Sequence, residues 1–204
     1  VNARQKIVRV VEGLLGTCDV VVVSDYAKGS VDKVNEIIAL AVSAGKPVVV
    51  DPKGDDFLKY KGATVIKPNL AEFEAIVGPC RDNSDIENKG LALLRKLSVD
   101  SLLVTKGGDG MSLIQRSGHA LHVDARVMEV FDVTGAGDTA CAVLAVIVGA
   151  GEKIEVAAKI ANVAAAIAAA FLEFAEEWMA ANLKEFSNAE HRRQWRSTIE
   201  AYAR

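Results

Sequence analysis

The sequence predicts an α/β protein: a mostly parallel sheet with helices on both faces, followed by a C-terminal helical extension. Three observations carry this reading. Short continuous β-branched runs, such as 20–23 and 48–50, show no polar alternation, as expected of strands covered on both faces. Segments of helical period separate these runs, the pattern of a parallel sheet with crossover helices. Beyond Gly151 the chain has neither glycine nor proline to interrupt a helix.

Each element has a local reason. Residues 20–23 form the first strand. Residues 31–44 have helical periodicity and stop at Gly45, a good C-terminal cap. Residues 48–50 and 64–66 give two more strands. Asn69 caps a helix that runs to Val77 and is stopped by Gly78 and Pro79. Residues 85–97 read as the next helix and 102–105 as a strand. Gly107, Gly108 and Gly110 make a turn, and 111–115 return as its hairpin partner. Residues 121–130 are extended. Residues 136–148 and 154–170 are helices, the second rich in alanine, the best helix former. In such sheets ligands gather at the carboxyl ends of the strands. Asp25, Asp51, Asn69 and Thr105 fall there.

Composition narrows the function classes. Half of the 204 residues are apolar and a quarter are charged, which is globular. The net charge of -3 gives no bulk basic surface, so nucleic acid is not an expected partner. Cys18, Cys80 and Cys141 are odd in number and far apart; they suggest neither a disulfide framework nor a metal pair, and fit a reducing, cytoplasmic compartment. No signal peptide is apparent. The longest uncharged apolar runs, 139–151 and 160–172, fall short of the ~18 residues of a membrane span, so no membrane partner is expected. Composition shifts near residue 170, where Phe171, Phe174, Trp178, Phe186, Trp195 and Tyr202 concentrate in the last stretch. The expected division is 1–170 and 171–204.

The chemistry concentrates in Asp132-Val133-Thr134-Gly135-Ala136-Gly137-Asp138. Small residues let backbone amides approach an anion, and the helix that follows aims its positive end at the same point. An acid there would repel a phosphate. It makes sense if Asp138 takes a proton from a hydroxyl that attacks a phosphoryl group, while amides at Gly135, Ala136 and Gly137 stabilise the charge. The bland alternative is an acid favoured by the helix dipole alone. A third reading is a relaxed dinucleotide fingerprint, Gly135 to Ala140, but it lacks the early strand-turn-helix context and the later acid. The chain contains no P-loop motif.

The segment 132–138 resembles the second signature of the ribokinase/PfkB carbohydrate kinases, with Val133 where threonine is usual. Ser24-Asp-Tyr-Ala-Lys-Gly29, Asp51-Pro-Lys-Gly54, Lys67-Pro-Asn-Leu-Ala-Glu-Phe-Glu74 and Val104-Thr-Lys-Gly-Gly-Asp-Gly110 follow in family order. Within the family they look most like the heptose-7-phosphate kinase domains of bifunctional heptose kinase/adenylyltransferases. The resemblance covers about residues 1–170 and implies a ribokinase-like fold, N-terminally truncated. It implies ATP-dependent transfer to a sugar phosphate hydroxyl, in the pathway to ADP-heptose and lipopolysaccharide core.

The resemblance also assigns roles. Asp138 is the implied base, and Gly135, Ala136 and Gly137 the anion hole. Asn69 and Glu72 match an N-x-x-E motif that positions Mg²⁺ through water; the alternative is a capping box, and both can hold at once. Thr105, Gly107 and Gly110 match the nucleotide-side turn, or a plain hairpin turn. Asp132 and Thr134 sit where some relatives hold a monovalent cation, K⁺. Lys53 faces phosphate or is a solvated lysine. The implied ligands are ATP, Mg²⁺ and a sugar phosphate, and a homo-oligomer is expected. The sugar-binding stretch of the family has no counterpart in these residues, so an inactive nucleotide-binding remnant is the first rival.

Residues 173–204 resemble the N-terminal core-binding region of phage-type tyrosine recombinases. His191, Arg192, Arg193 and Arg196 form a short basic stripe, suited to phosphates or simply a solvated face, so a DNA- or partner-binding tail is the second rival. Phe171, Phe174 and Trp178 follow one helical stripe, and Trp195, Ile199 and Tyr202 another. Each is expected to pack on the core or on a second copy of the chain.

Overall fold

The computed structural model describes residues 3–26, 33–125 and 135–182. Six strands form one sheet in chain order: β1 Val21–Ser24, β2 Val48–Asp51, β3 Val65–Ile66, β4 Ser101–Thr105, β5 Met111–Gln115 and β6 Ala120–Val123. The first four are parallel. β4, β5 and β6 form an antiparallel meander. The runs of β2 and β4 are buried on both faces because helices cover both, but the edge strand β1 departs from the expectation: Val23 is buried and Val22 is 46% exposed. Val48, Val50, Ile66, Leu102 and Val104 pack in one core with α2 (Val34–Ser43), α3 (Leu70–Val77) and α4 (Asn83–Leu97). α1 (Ala3–Leu14) adds Val11 to that side. Val49, Val65, Leu103 and Leu113 pack in a second core with α5 (Ala136–Gly149) and α6 (Ile154–Asn182). Each wholly buried leucine or isoleucine is worth about 1.5–3 kcal/mol over exposure. The mostly parallel sheet with two helical layers is the architecture read from the sequence.

Several element boundaries differ from expectation, and α2 begins at Val34 rather than 31. α4 begins two residues early because Asp82 is its cap: the Asp82 carboxylate accepts from the Asp85 amide at 2.8 Å. The extended stretch expected at 121–130 is β6 at its start, and 126–134 lie outside the described residues. α6 continues through residue 170 to Asn182, carrying the composition shift inside one helix.

α6 corrects two further expectations. Its window Ile154–Phe171 is long and apolar enough, by length and composition, to cross a bilayer, because Glu155 and Lys159 are too few to break it. In the fold, however, its alanines do core work: Ala157, Ala158 and Ala161 are wholly buried, and their small side chains let α6 lie close on α5. Phe171 and Phe174 do not pack on the core; they are 66% and 64% exposed. A 29-residue helix is ~43 Å long and outruns a sheet whose strands are at most five residues. Among the described side chains of α6, Ala169 is the last that is buried. Trp195, Ile199, Tyr202 and the basic stripe lie outside the described residues.

Candidate active site

The parallel strands bring their carboxyl ends into one row. The Asp25 amide donates to the Asp51 carbonyl at 3.0 Å, the Lys67 amide to the Val50 carbonyl at 2.8 Å, and the Thr105 amide to the Pro68 carbonyl at 3.0 Å. Asn69 bridges to Thr105 in parallel register. Asp25, Asp51, Asn69 and Thr105 therefore stand together, as the sheet topology requires.

Asn69 closes α3 with a full capping box. Its side-chain oxygen accepts from the Glu72 amide at 2.8 Å, and the Glu72 carboxylate accepts from the Asn69 amide at 3.0 Å. The other oxygen of Glu72 takes the Lys53 ammonium at 2.8 Å. That bond raises the Lys53 pKa. Lys53 thus faces a carboxylate in this state, and Glu72 is the acid that draws it in.

α5 is preceded by its cap residue Gly135, which adopts a left-handed backbone (φ 81°) and offers no side chain to cap the first turn. The amides of that turn are left for another acceptor. Ala136 and Gly137 line a cavity of about 270 Å³. Asn69, Thr105, Gly107 and Gly110 line the same cavity. Asp138 follows at once in the first turn and is exposed. The predicted Asn69, Thr105, Gly107, Gly110, Ala136 and Gly137 thus line one cavity, while the predicted Gly135, Asp138 and Glu72 are not among its lining residues. Asp132 and Thr134 lie outside the described residues.

Gly110 has a second reason to be glycine. Its φ is 80°, and a Cβ there would stand 2.0 Å from the Val123 carbonyl oxygen. The turn that lines the cavity is therefore packed directly onto β6.

The sequence reading gave no role to two residues that belong to this site, Lys67 and Asn162. Lys67 is buried, 3.0 Å from the Asp51 carboxylate. Burial pushes the Asp51 carboxyl above its ordinary value against the pull of Lys67, and Asp138 and Glu72 push the same way. Asn162 is buried in α6, lines the cavity, and donates to the Asp124 carbonyl at 3.0 Å. Its signal was present: it is the one amide in a run of alanines. Beneath the site, burial raises the Cys141 thiol to about 11, so it is not a nucleophile.

A second polar chain imitates a hydrolase. The Ser112 hydroxyl lies 2.8 Å from His122 Nδ1, and His122 Nε2 lies 2.7 Å from a Glu87 oxygen. Ser112 is wholly buried in β5, so no substrate reaches it. The chain ties α4 to the meander.

The model of the pfkB family carbohydrate kinases matches residues 2–170. The bifunctional protein HldE of Methylococcus capsulatus is 53% identical over 154 residues, covering 76% of this chain and 33% of that protein. HldE of Pseudomonas fluorescens is 50% identical over 157 residues, covering 77% and 33%. The chain spans about a third of the length of these curated relatives. Among solved structures, Arabidopsis thaliana ribokinase complexed with ribose and ATP superposes with a TM-score of 0.67 at 24% identity, over 80% of this chain and 52% of that one. Escherichia coli phosphofructokinase-2 in complex with potassium superposes at 0.70 and 18% identity, over 81% and 56%. These likenesses show the fold. None of these matches supports the recombinase likeness of residues 173–204, and the family match ends at 170.

Proposed function

Because the chain belongs to the pfkB family of carbohydrate kinases, we propose that it carries the nucleotide side and the base of an ATP-dependent sugar kinase whose acceptor is a heptose 7-phosphate. The observation that carries the reading is a carboxylate, Asp138, in the uncapped first turn of α5, next in the chain to Ala136 and Gly137, which line the cavity. A phosphate-binding site alone has no use for an acid there.

Asp138 takes the proton of the attacking sugar hydroxyl. The backbone at Gly135, Ala136 and Gly137 receives the negative charge of the transferring group, where a fixed dipole needs no reorganisation. Thr105, Gly107, Gly110 and Asn162 line the nucleotide. The apolar wall from α6 keeps water from that side. When bound, Mg²⁺-ATP supplies the phosphoryl group and a metal charge that offsets the phosphates.

Among the described residues no cluster of three acidic, histidine or cysteine side chains forms a metal cage. That suits Mg²⁺, which keeps its waters and takes few protein ligands. Glu72 retains lone pairs beyond its bonds to Asn69 and Lys53, and with Asn69 it would hold the ion through water. The ribose and ATP of the Arabidopsis ribokinase structure support the nucleotide reading, and the potassium of phosphofructokinase-2 is in keeping with K⁺ as a ligand, for which the resemblance offers Asp132 and Thr134. The HldE relatives at about half identity support the heptose acceptor. The exposed Ile167, Phe171 and Phe174 of α6 support a homo-oligomer formed through that helix.

The test is ADP formation from Mg²⁺-ATP with a heptose 7-phosphate, read on the chain and on Asp138→Asn. The expected loss is about 10²- to 10⁴-fold, with nucleotide affinity nearly unchanged. Turnover within a few-fold of the parent would remove Asp138 from the chemistry.

A further inference from the structure

α6 is apolar on two opposed faces. Ala157, Ala158, Ala161, Asn162 and Ala169 are buried on one of them. By the pitch of the helix, Ile160, Ala164, Ile167, Phe171 and Phe174 fall on the other. Ile160, Ile167, Phe171 and Phe174 are 46%, 62%, 66% and 64% exposed, and Ala164 is half-buried. A helix at a protein surface ordinarily turns charged residues to that side. Here the steps between successive apolar positions are 4, 3, 4 and 3 residues, and Trp178 continues the series with 4. That is a strict heptad seam of period 3.5, the pattern of a helix that pairs with another helix. Its second half lies past Ala169, and a helical stretch of that length is marginal alone in water.

We propose that this seam is the interface between two copies of the chain, with the two α6 helices paired antiparallel so that Ile167 of each packs on Phe171 of the other. The proposal rests on the homo-oligomer reading above and gives it a face and a direction. A continuous apolar seam needs an apolar partner of equal length, and the seam of a second copy is one. Residues 183–204 do not match it in composition, because 187–194 hold one apolar residue, Ala189.

Size and charge both set the direction. In the antiparallel register each layer joins a smaller residue to a larger one: Ile167 with Phe171, Ala164 with Phe174, and Ile160 with position 178, a tryptophan. Facing positions that alternate large and small fill the space between helices. A parallel pair would set Ala164 on Ala164 and Phe171 on Phe171, a gap beside a crowd. The charges agree. Glu173, Glu176 and Glu177 are the only charged residues of 160–182, and Lys159 stands just before them at the other end of the seam. A parallel pair brings all six carboxylates to one end. The antiparallel pair separates the two sets by about 18 Å along the axis, beyond a Debye length, and brings each toward the Lys159 end of the other copy.

The experiment is sedimentation equilibrium of the intact chain, which should form a dimer at micromolar concentration. Ile167→Glu puts a charge into a central layer of the pair and should weaken the dimer at least about 100-fold. Its far-UV spectrum should not change, because the position is 62% exposed in the single chain. Phe171→Glu is the second variant and should act alike. Val146→Glu, on α5 and 70% exposed, lies off the seam and should leave the dimer intact. Direction is read by oxidation of Ala164→Cys and Phe174→Cys chains in which Cys18 and Cys80 are serine. A mixture of the two should give a disulfide-linked pair, and neither alone should. A chain that stays monomeric overturns the oligomer reading and this proposal together. A dimer that survives both glutamate variants leaves an oligomer standing and overturns the seam. Linking of each cysteine chain with itself, and none in the mixture, overturns the antiparallel pairing.

Discussion

Replacing Gly137 by alanine sets stability against binding. The substitution adds one methyl group in the first turn of α5. Its position is open: the nearest described atom is the Lys67 ammonium at 3.9 Å, so the folded chain takes the methyl without a shift. The helix gains propensity, up to about 1 kcal/mol in a helix interior and less at this end. For a chain of this size that gain is a rise of up to ~2–4 °C in Tm. On the nucleotide reading, the same methyl enters the cavity that Gly137 lines and crowds a phosphate oxygen out of it. Losing one charge-assisted bond costs about 1.5–3 kcal/mol, or roughly 10- to 100-fold in affinity. Thermal unfolding by circular dichroism, with and without Mg²⁺-ATP, reads both effects. The expected result is an unchanged or higher Tm without nucleotide and the loss of the nucleotide-dependent shift. A lower Tm with the nucleotide shift intact would refute the reasoning, because it would make Gly137 a packing residue.

Two further outcomes follow from the same geometry. Gly110→Ala drives a Cβ into the Val123 carbonyl at a backbone angle alanine avoids, and should cost several kcal/mol, more than ordinary surface substitutions, read as a fall in the denaturant midpoint. Glu155 accepts from the Gln115 side chain at 2.6 Å, which holds its carboxyl below the ordinary value. A depressed carboxyl contributes stability above its unfolded pKa, near 4.5, and loses it as the pH falls through the folded value. Glu155→Gln should flatten that acid-side slope in Tm against pH, and an unchanged slope would detach the pair from stability.

What could be read from the sequence was what local chemistry dictates. The valine runs are strands because nothing in them is polar enough to face water. Asn69 and Glu72 were legible as a capping box because that motif is made within one turn, and the box is present. Gly107, Gly108 and Gly110 were legible as a turn for the same reason. Lys67 was not, because burial of a lysine depends on a partner sixteen positions away on the neighbouring strand, and lysine is usually exposed. Asn162 was hidden by its setting, since an amide among alanines also suits an exposed helix face. Phe171, Phe174 and Trp178 read as a stripe that packs on the core or on a second copy, yet the period of a stripe does not say which of these lies opposite. The helix carries them past the end of the sheet.

The central claim is that the row of strand ends and the first turn of α5 form a nucleotide site. Titration of Mg²⁺-ATP into the chain tests it most directly, with the far-UV spectrum recorded on the same sample. The account predicts saturable one-to-one binding at millimolar nucleotide or tighter, nearly unchanged in Asp138→Asn and weakened in Gly137→Ala. A folded chain that gives no binding heat at millimolar Mg²⁺-ATP would contradict it.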